Sequence, residues 1–160
     1  MAGATLPDAK KAAAMLSTTL RREVKLTLLK PVPEKEYVAI GHYADRDKKP
    51  VAACFADKAM TLYAGAALSL VPADAARDAM KEAQLDEIMA ENFAEVLNVC
   101  SRMIELPDSG RVVLTSTEFA PAPRSAASTS VLTKPRARID FDVAIQGYGK
   151  GRFGLALPAA

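Results

Sequence analysis

The sequence has no tryptophan, a single histidine and two cysteines, and aromatic residues make up only 6% of its 160 residues. With so few imidazole and thiolate groups, the chain cannot assemble a zinc site of the usual four-ligand kind. His42 lies in a predicted strand with no local signature of a nucleophilic triad, so we interpret it as a structural histidine. Cys54 and Cys100 lie in apolar surroundings, which predicts two buried, reduced thiols.

An excess of one charge is also missing, since 21 Lys and Arg stand against 19 Asp and Glu. This balance gives no support to nucleic-acid binding, which usually requires a clustered basic excess. No run approaches the roughly 18 apolar residues of a membrane-spanning helix. Asp8, Lys10 and Lys11 stand where a secretory leader would need an apolar stretch. We therefore expect a cytoplasmic protein that binds neither nucleic acid nor membrane.

Glycine-rich phosphate-binding motifs are absent as well. Neither G-x-x-x-x-G-K-[ST] nor G-x-G-x-x-G occurs in the sequence. The run Gly147-Tyr-Gly-Lys-Gly151 lies between two strand-like segments and precedes no helix. It is therefore predicted to form a hairpin turn.

What the sequence does contain is typical of one globular domain spanning residues 1–160, half hydrophobic and one quarter charged. We expect residues 1–7 to be disordered and residues 121–130, rich in Pro, Ala and Ser, to form a mobile loop. The order of elements is helix, three strands, a helical block and three strands, which predicts an α+β fold with long helices packed on an antiparallel sheet. The predicted helices are 8–20, 57–70, 73–81 and 85–105, and the predicted strands are 22–29, 37–43, 51–55, 112–119, 136–146 and 151–157.

The pattern over residues 85–105 predicts the longest helix of the chain, with two distinct faces. The helix has an apolar arc made of Leu85, Ile88, Met89, Phe93, Val96, Leu97, Val99, Cys100, Met103 and Ile104. Asn92 falls inside this arc and is predicted to be buried and hydrogen-bonded. The opposite, solvated side carries Glu87, Glu91, Glu95, Asn98, Arg102 and Glu105.

Glu95 and Asn98 are three residues apart, so they lie side by side on the exposed face. Asparagine is unfavourable inside a helix, yet both asparagines of the chain, Asn92 and Asn98, lie in this one. Such a local conflict can mark a functional site, although an ordinary solvated face explains the pattern equally well. An exposed amide can orient a water molecule toward an electrophile, and a carboxylate can pair with a basic partner residue. The reaction would then take place on a phosphoprotein that carries its own metal.

The run Glu95-Val-Leu-Asn98, followed by the apolar Val99, resembles the signature of the CheC/CheX/FliY phosphatases of bacterial chemotaxis. The surrounding elements are similar too, because a strand over 51–55 leads into a helix before the signature helix. A strand, a loop and a final hairpin follow it. The resemblance covers roughly residues 20–157 and is strongest to the single-site CheX type. The sequence departs from the family at Arg102, where members usually have glycine.

The resemblance implies a phosphatase that hydrolyses the aspartyl-phosphate of a CheY-type response-regulator receiver domain, in chemotaxis or two-component signalling. Asn98 would orient the attacking water, and Glu95 would pair with a lysine of the receiver. Glu91 and Arg102, on the same face, would contact the partner. The chain would need no cofactor of its own, since Mg²⁺ would be held by the receiver. CheX-type members form homodimers, so the resemblance also implies a homodimer.

Two other functions stay open at this point. The same fold could serve as a noncatalytic adaptor of the flagellar-switch type, which would bind a receiver without dephosphorylating it. Alternatively, an unrelated helix-on-sheet domain could bind a small ligand in a closed apolar pocket. The adaptor predicts an exposed Glu95–Asn98 face, whereas the ligand-binding domain predicts that this face is covered or featureless.

Overall fold

A computed structural model describes residues 3–159 and shows a six-stranded antiparallel sheet in the order β1-β5-β6-β3-β2-β4. The helices pack against this sheet, so the predicted α+β architecture is confirmed. The strands are β1 (Val24–Leu29), β2 (Tyr37–Ala44), β3 (Pro50–Asp57), β4 (Val113–Phe119), β5 (Ala137–Ile145) and β6 (Gly149–Leu157). The helices are α1 (Ala9–Leu20), α2 (Lys58–Leu68), α3 (Ala73–Met80), α4 (Glu87–Val99) and α5 (Ala126–Thr133), with short 3₁₀ segments at Glu34–Glu36 and Cys100–Met103.

Aspartate side chains set the starts of three helices. Asp8, Asp57 and Asp86 each accept a hydrogen bond from the backbone N–H three residues further on, at 2.8 to 2.9 Å. A carboxylate in this position satisfies a donor that the helix itself leaves free. These caps fix where α1, α2 and α4 begin.

The sheet separates two cores of unequal size. The larger core lies under α1–α4 and contains the fully buried Phe93, Phe141 and Phe153. On the other face, α5 covers a smaller cluster that includes Phe55 and Leu132. Within the described residues, no helix has both the length and the apolar character needed to span a bilayer.

A buried ion pair between Arg138 and Asp140 stabilises the packing of the segment before β2 on the smaller core. Asp140, fully buried, accepts hydrogen bonds from Arg138 Nε at 2.8 Å, Tyr37 Oη at 2.6 Å and Val32 N at 3.1 Å. Burial, reinforced by the bond to Asp140, raises the pKa of Tyr37 well above its ordinary value. The four groups hold the segment before β2 against the sheet, and the sequence analysis did not anticipate them.

Two glycines allow helix α2 to approach its neighbours at backbone distance. A Cβ at Gly65 would lie 2.2 Å from the carbonyl oxygen of Met89 in α4. A Cβ at Gly151 in β6 would lie 2.3 Å from the backbone nitrogen of Met60. Helix α2 is therefore seated directly on β6, and α4 is seated directly on α2.

Two segments that the sequence predicted to be irregular contain hydrogen-bonded structure. The predicted mobile loop over 121–130 contains the first half of α5, because Ser125 caps a helix whose Val131 and Leu132 are buried. Within the predicted disordered segment 1–7, Thr5 forms an isolated antiparallel bridge with Glu105. Residues 1 and 2 lie outside the described part of the chain.

The predicted hairpin turn between the last two strands is confirmed. Residues 146–148 connect β5 to β6, and Gly147 has a φ of 83°, in the left-handed region that favours glycine. The turn serves to reverse the chain direction and opens no helix.

Gly65→Ala is expected to lower the free energy of unfolding by about 1–3 kcal/mol, because the added methyl group overlaps the backbone of α4. Intrinsic helix propensity alone would give the opposite sign. Ala14→Gly on an exposed turn of α1 is the matched control, and it should cost about 1 kcal/mol through propensity. Urea unfolding of both variants measures the two effects, and a stabilised Gly65→Ala variant would contradict the close contact.

Candidate functional site

Helix α4 carries the predicted signature residues but is shorter than expected. It spans Glu87–Val99 and passes into the 3₁₀ segment Cys100–Met103, whereas the sequence predicted a continuous helix over 85–105. The tighter spacing of three residues per turn places both Cys100 and Met103 in the core. Arg102 therefore lies in the 3₁₀ segment and not in α4 itself.

The inner face of α4 is fixed by packing and by one hydrogen bond. Phe93, Val96 and Leu97 are fully buried against α2 and the sheet. Tyr43, buried in β2, donates from its hydroxyl to the carbonyl oxygen of Leu97 at 2.5 Å. This bond satisfies a carbonyl in the last turn of α4, one residue before Asn98. The backbone next to Asn98 is thus hydrogen-bonded to β2, an interior strand of the sheet.

The outer face of α4 presents the predicted site residues to solvent. Glu91, Glu95, Asn98 and Arg102 are all exposed. Within the described residues, none of the three charged side chains forms an ion pair, and Asn98 makes no side-chain hydrogen bond. The spacing of three or four residues gathers Glu91, Glu95 and Asn98 on one stripe of α4, and Arg102 follows in the 3₁₀ segment. These polar groups are therefore free to interact with a partner.

Ile88 also lies at this stripe, and its predicted burial was wrong. Its side chain is 68% exposed, seven residues before Glu95 on the same side of the helix. Seven residues correspond to almost two turns, or roughly 10 Å along the axis. The sequence placed Ile88 in the apolar arc because it is hydrophobic, but α2 and the sheet do not reach that margin of α4. We call the surface formed by Ile88, Glu91, Glu95, Asn98 and Arg102 the α4 stripe.

Asn92 does not make the full set of hydrogen bonds that the sequence led us to expect. It is half-buried at the edge of the apolar arc, and its Nδ2 is shielded from solvent without a hydrogen-bond partner among the described residues. The edge position at roughly 40° from Ile88 on the helical wheel brings apolar neighbours rather than acceptors. The prediction of a hydrogen-bonded amide is wrong for this donor.

The two cysteines lie together beneath the end of α4. Both are free thiols and both are buried, as the sequence predicted. A hydrogen bond with Cys54, together with burial, raises the pKa of the Cys100 thiol well above its ordinary value. Thiols of this kind pack as small hydrophobic groups and are not nucleophiles.

His42 forms a polar cluster with Ser128 and Glu118, and the arrangement is not a catalytic triad. His42 Nε2 lies 2.7 Å from Ser128 Oγ and 3.3 Å from Glu118 Oε2. Both partners thus meet the same ring nitrogen, whereas a triad uses the two nitrogens separately. Partial burial raises the pKa of Glu118, but hydrogen bonds from Ser125 outweigh it, so the net pKa is lowered. The cluster attaches α5 to β2 and β4.

A cleft opens beside Asn98, and the sequence analysis missed it. Its volume is about 400 Å³, and it lies between the 3₁₀ segment and residues 110–113. Asn98, Arg102 and Arg111 all line it. The sequence offered no signal for Arg111, because only the tertiary structure brings residues 102 and 111 to one cavity. No group of three His, Cys, Asp or Glu side chains among residues 3–159 could hold a metal ion.

Comparison with known proteins finds similar folds among solved structures only. No protein-family model and no curated protein matches the sequence. Among solved structures, the chain is similar to FliM in the FliM–SpeE complex from H. pylori, with a TM-score of 0.59 at 11% identity, covering 94% of this chain and 81% of that one. The chain shares the fold of FliM and FliY.

Two further structures document this shared fold. The FliM middle domain from Vibrio alginolyticus has a TM-score of 0.57 at 12% identity, with coverage of 94% of this chain and 88% of that chain. FliY from Thermotoga maritima has a TM-score of 0.51 at 14% identity, with coverage of 93% and 83%. At these identities the likeness concerns the fold alone, so the roles of residues in the α4 stripe rest on their own geometry.

Val96→Asp and Asn98→Ala should have opposite effects on stability, because they lie on opposite faces of α4. Val96→Asp buries an unpaired charge and should cost at least about 3 kcal/mol, enough to unfold the domain at moderate temperature. Asn98→Ala should be neutral or stabilise by up to about 0.5 kcal/mol, since alanine is the better helix former. Thermal melts compare the two variants, and a destabilised Asn98→Ala would mean that this asparagine supports the fold.

Proposed function

We propose that the chain is a CheX-like phosphatase that hydrolyses the aspartyl-phosphate of a CheY-type receiver domain in chemotaxis or two-component signalling. The observation that carries this proposal is the pair Glu95 and Asn98, exposed side by side on α4, whose side chains have no hydrogen-bond or ion-pair partner among residues 3–159. Exposed polar groups on a fixed helix suit a reaction that is completed on another protein. The proposal also includes a cytoplasmic location and a homodimer.

In this proposal each signature residue has one role. The amide of Asn98 accepts a hydrogen bond from a water molecule and directs its oxygen toward the phosphorus atom of the docked receiver. The carboxylate of Glu95 pairs with a lysine of the receiver and sets the register of docking. The chain supplies no metal, because Mg²⁺ belongs to the receiver. Water then displaces the aspartyl carboxylate, and phosphate leaves.

The support beneath Asn98 suits such a positioning role. A water molecule is oriented well only if the group that holds it is itself held in place. The bond from Tyr43 to the Leu97 carbonyl restricts α4 at its signature turn, and the close contact at Gly65 restricts it in its first turn. The Asn98 amide is thus mounted on a rigid backbone rather than on a loop.

Ile88 extends the proposed docking surface away from the reaction. A large aliphatic side chain that is mostly exposed stabilises a complex when a partner covers it. Its place on the α4 stripe means that a receiver lying along the helix would contact Ile88, Glu95 and Asn98 together. Ile88 would then contribute affinity while Asn98 contributes the chemistry.

A noncatalytic adaptor is the second candidate. Arg102 favours it, because a long charged side chain stands where CheX-like proteins usually have glycine. The FliM structure from H. pylori was determined as a complex with SpeE, which shows that this fold serves protein binding there. As an adaptor, the chain would bind a receiver through the α4 stripe and leave its phosphorylation unchanged.

Asn98→Ala should abolish accelerated dephosphorylation, lowering the rate by roughly 100-fold, because loss of a group that positions the reacting water affects the chemical step. The measurement is the decay of an acetyl-phosphate-labelled receiver from the same organism, with and without this chain. Thr18→Ala on an exposed turn of α1 is the control and should keep full activity. If the wild-type chain binds the receiver but leaves its lifetime unchanged, the adaptor function replaces the phosphatase.

Ile88→Asp should weaken receiver binding about tenfold without lowering the melting temperature, because the side chain is exposed in the free protein. Leu28→Asp is a matched control, since Leu28 is 64% exposed but lies on β1. Surface plasmon resonance with immobilised receiver compares the two variants. Equal binding by Ile88→Asp and wild type would restrict the docking surface to the signature turn.

A further inference from the structure

The cleft beside Asn98 is lined by both apolar and basic residues. Ile104 and Val112 are buried, while Arg102 and Arg111 are exposed. Asn98 itself forms part of the lining. The cleft is therefore continuous with the α4 stripe at its reactive end.

The two arginines of the cleft differ from most other arginines of the chain. Within the described residues, their side chains form neither an ion pair nor a hydrogen bond. Neither Arg102 nor Arg111 forms an ion pair among residues 3–159. By contrast, six arginines donate to carboxylates or to backbone carbonyls, namely Arg22, Arg77, Arg124, Arg136, Arg138 and Arg152. Two guanidinium groups without acceptors thus face one cavity.

We propose that this cleft binds carboxylate side chains of an acidic segment on the protein partner, with Arg102 and Arg111 as the two contacts. The inference rests on the proposed function in one respect, since it takes the partner to be the protein that docks on the α4 stripe. Guanidinium groups bind carboxylates through paired hydrogen bonds, and such bonds gain strength where water is partly excluded. The apolar lining residues Ile104 and Val112 suit the methylene groups of Asp and Glu side chains.

A peptide segment fits this site better than a free oxyanion does. Apart from Asn98 and the two arginines, the lining includes the apolar residues Ile104, Val112 and Val113. A small anion would gain only two exposed charges there, which are screened by salt. A segment of chain gains contact with these apolar residues as well.

In this proposal Arg102 contacts the partner at the position where CheX-like proteins usually have glycine. Along the α4 stripe the charges run from Glu91 and Glu95 to the neutral Asn98 and then to Arg102. A partner would match this order only if it offered a basic group near Glu95 and an acidic segment beyond Asn98. Charge order of this kind selects among related partners and sets the docking direction.

The test uses the whole chain and a probe that does not depend on any receiver. An octapeptide of glutamate, titrated into ¹⁵N-labelled protein, should shift the backbone amide signals of Ser101, Gly110 and Arg111. The double variant Arg102→Ala/Arg111→Ala should weaken this binding at least tenfold, because both charge-assisted contacts are lost. Arg46→Ala, which removes an exposed arginine in the turn between β2 and β3, is the matched control and should bind like wild type.

Three results would overturn the assignment. One is the absence of shifts around the cleft, and another is an equal loss of binding in Arg46→Ala, which would indicate general attraction to a basic surface. The third is that inorganic phosphate at equal ionic strength reproduces the shifts and the affinity, which would identify an oxyanion site instead. The peptide titration does not depend on receiver dephosphorylation. Its result therefore tests the cleft separately from the phosphatase proposal.

Discussion

The contact between α2 and α4 at Gly65 is the constraint on which the candidate site depends. The backbone of α4 approaches so closely there that a single methyl group cannot be accommodated. Helix α2 in turn contacts β6 at Gly151. Backbone contacts rather than flexible side chains therefore fix the position of α4 relative to the sheet. Long side chains at either glycine would move α4 and with it every residue of the α4 stripe.

This contact explains why one helix can carry both core residues and the proposed partner-binding residues. The buried face contributes Phe93, Val96 and Leu97, whose loss would cost stability. The stripe on the opposite face contributes nothing to the interior, because its charged groups have no ion-pair partners among the described residues. Tyr43 links the two roles, since its bond to Leu97 lies in the core but holds the turn that presents Asn98.

Periodicity predicted much of the fold, because it depends on residues close in sequence. The order of the elements and the exposure of Glu95 and Asn98 both follow from this local signal. The exposure of Ile88 could not be predicted, because the width of the covered face depends on how far α2 reaches. The pairing of Arg102 with Arg111 in one cleft depends likewise on tertiary structure, as does the network of Tyr37, Arg138 and Asp140.

The lack of ion pairs on the α4 stripe among the described residues affects how such a protein can evolve. Substitutions at Ile88, Glu95 or Arg102 would alter the proposed recognition while leaving the folded state almost unaffected, since surface changes away from specific contacts are nearly neutral. Substitutions at Gly65 or Tyr43 would instead destabilise the fold and displace the α4 stripe as well. The proposed partner choice can therefore change at positions that contribute little to stability. A duplicated copy could acquire a new partner without first losing its stability.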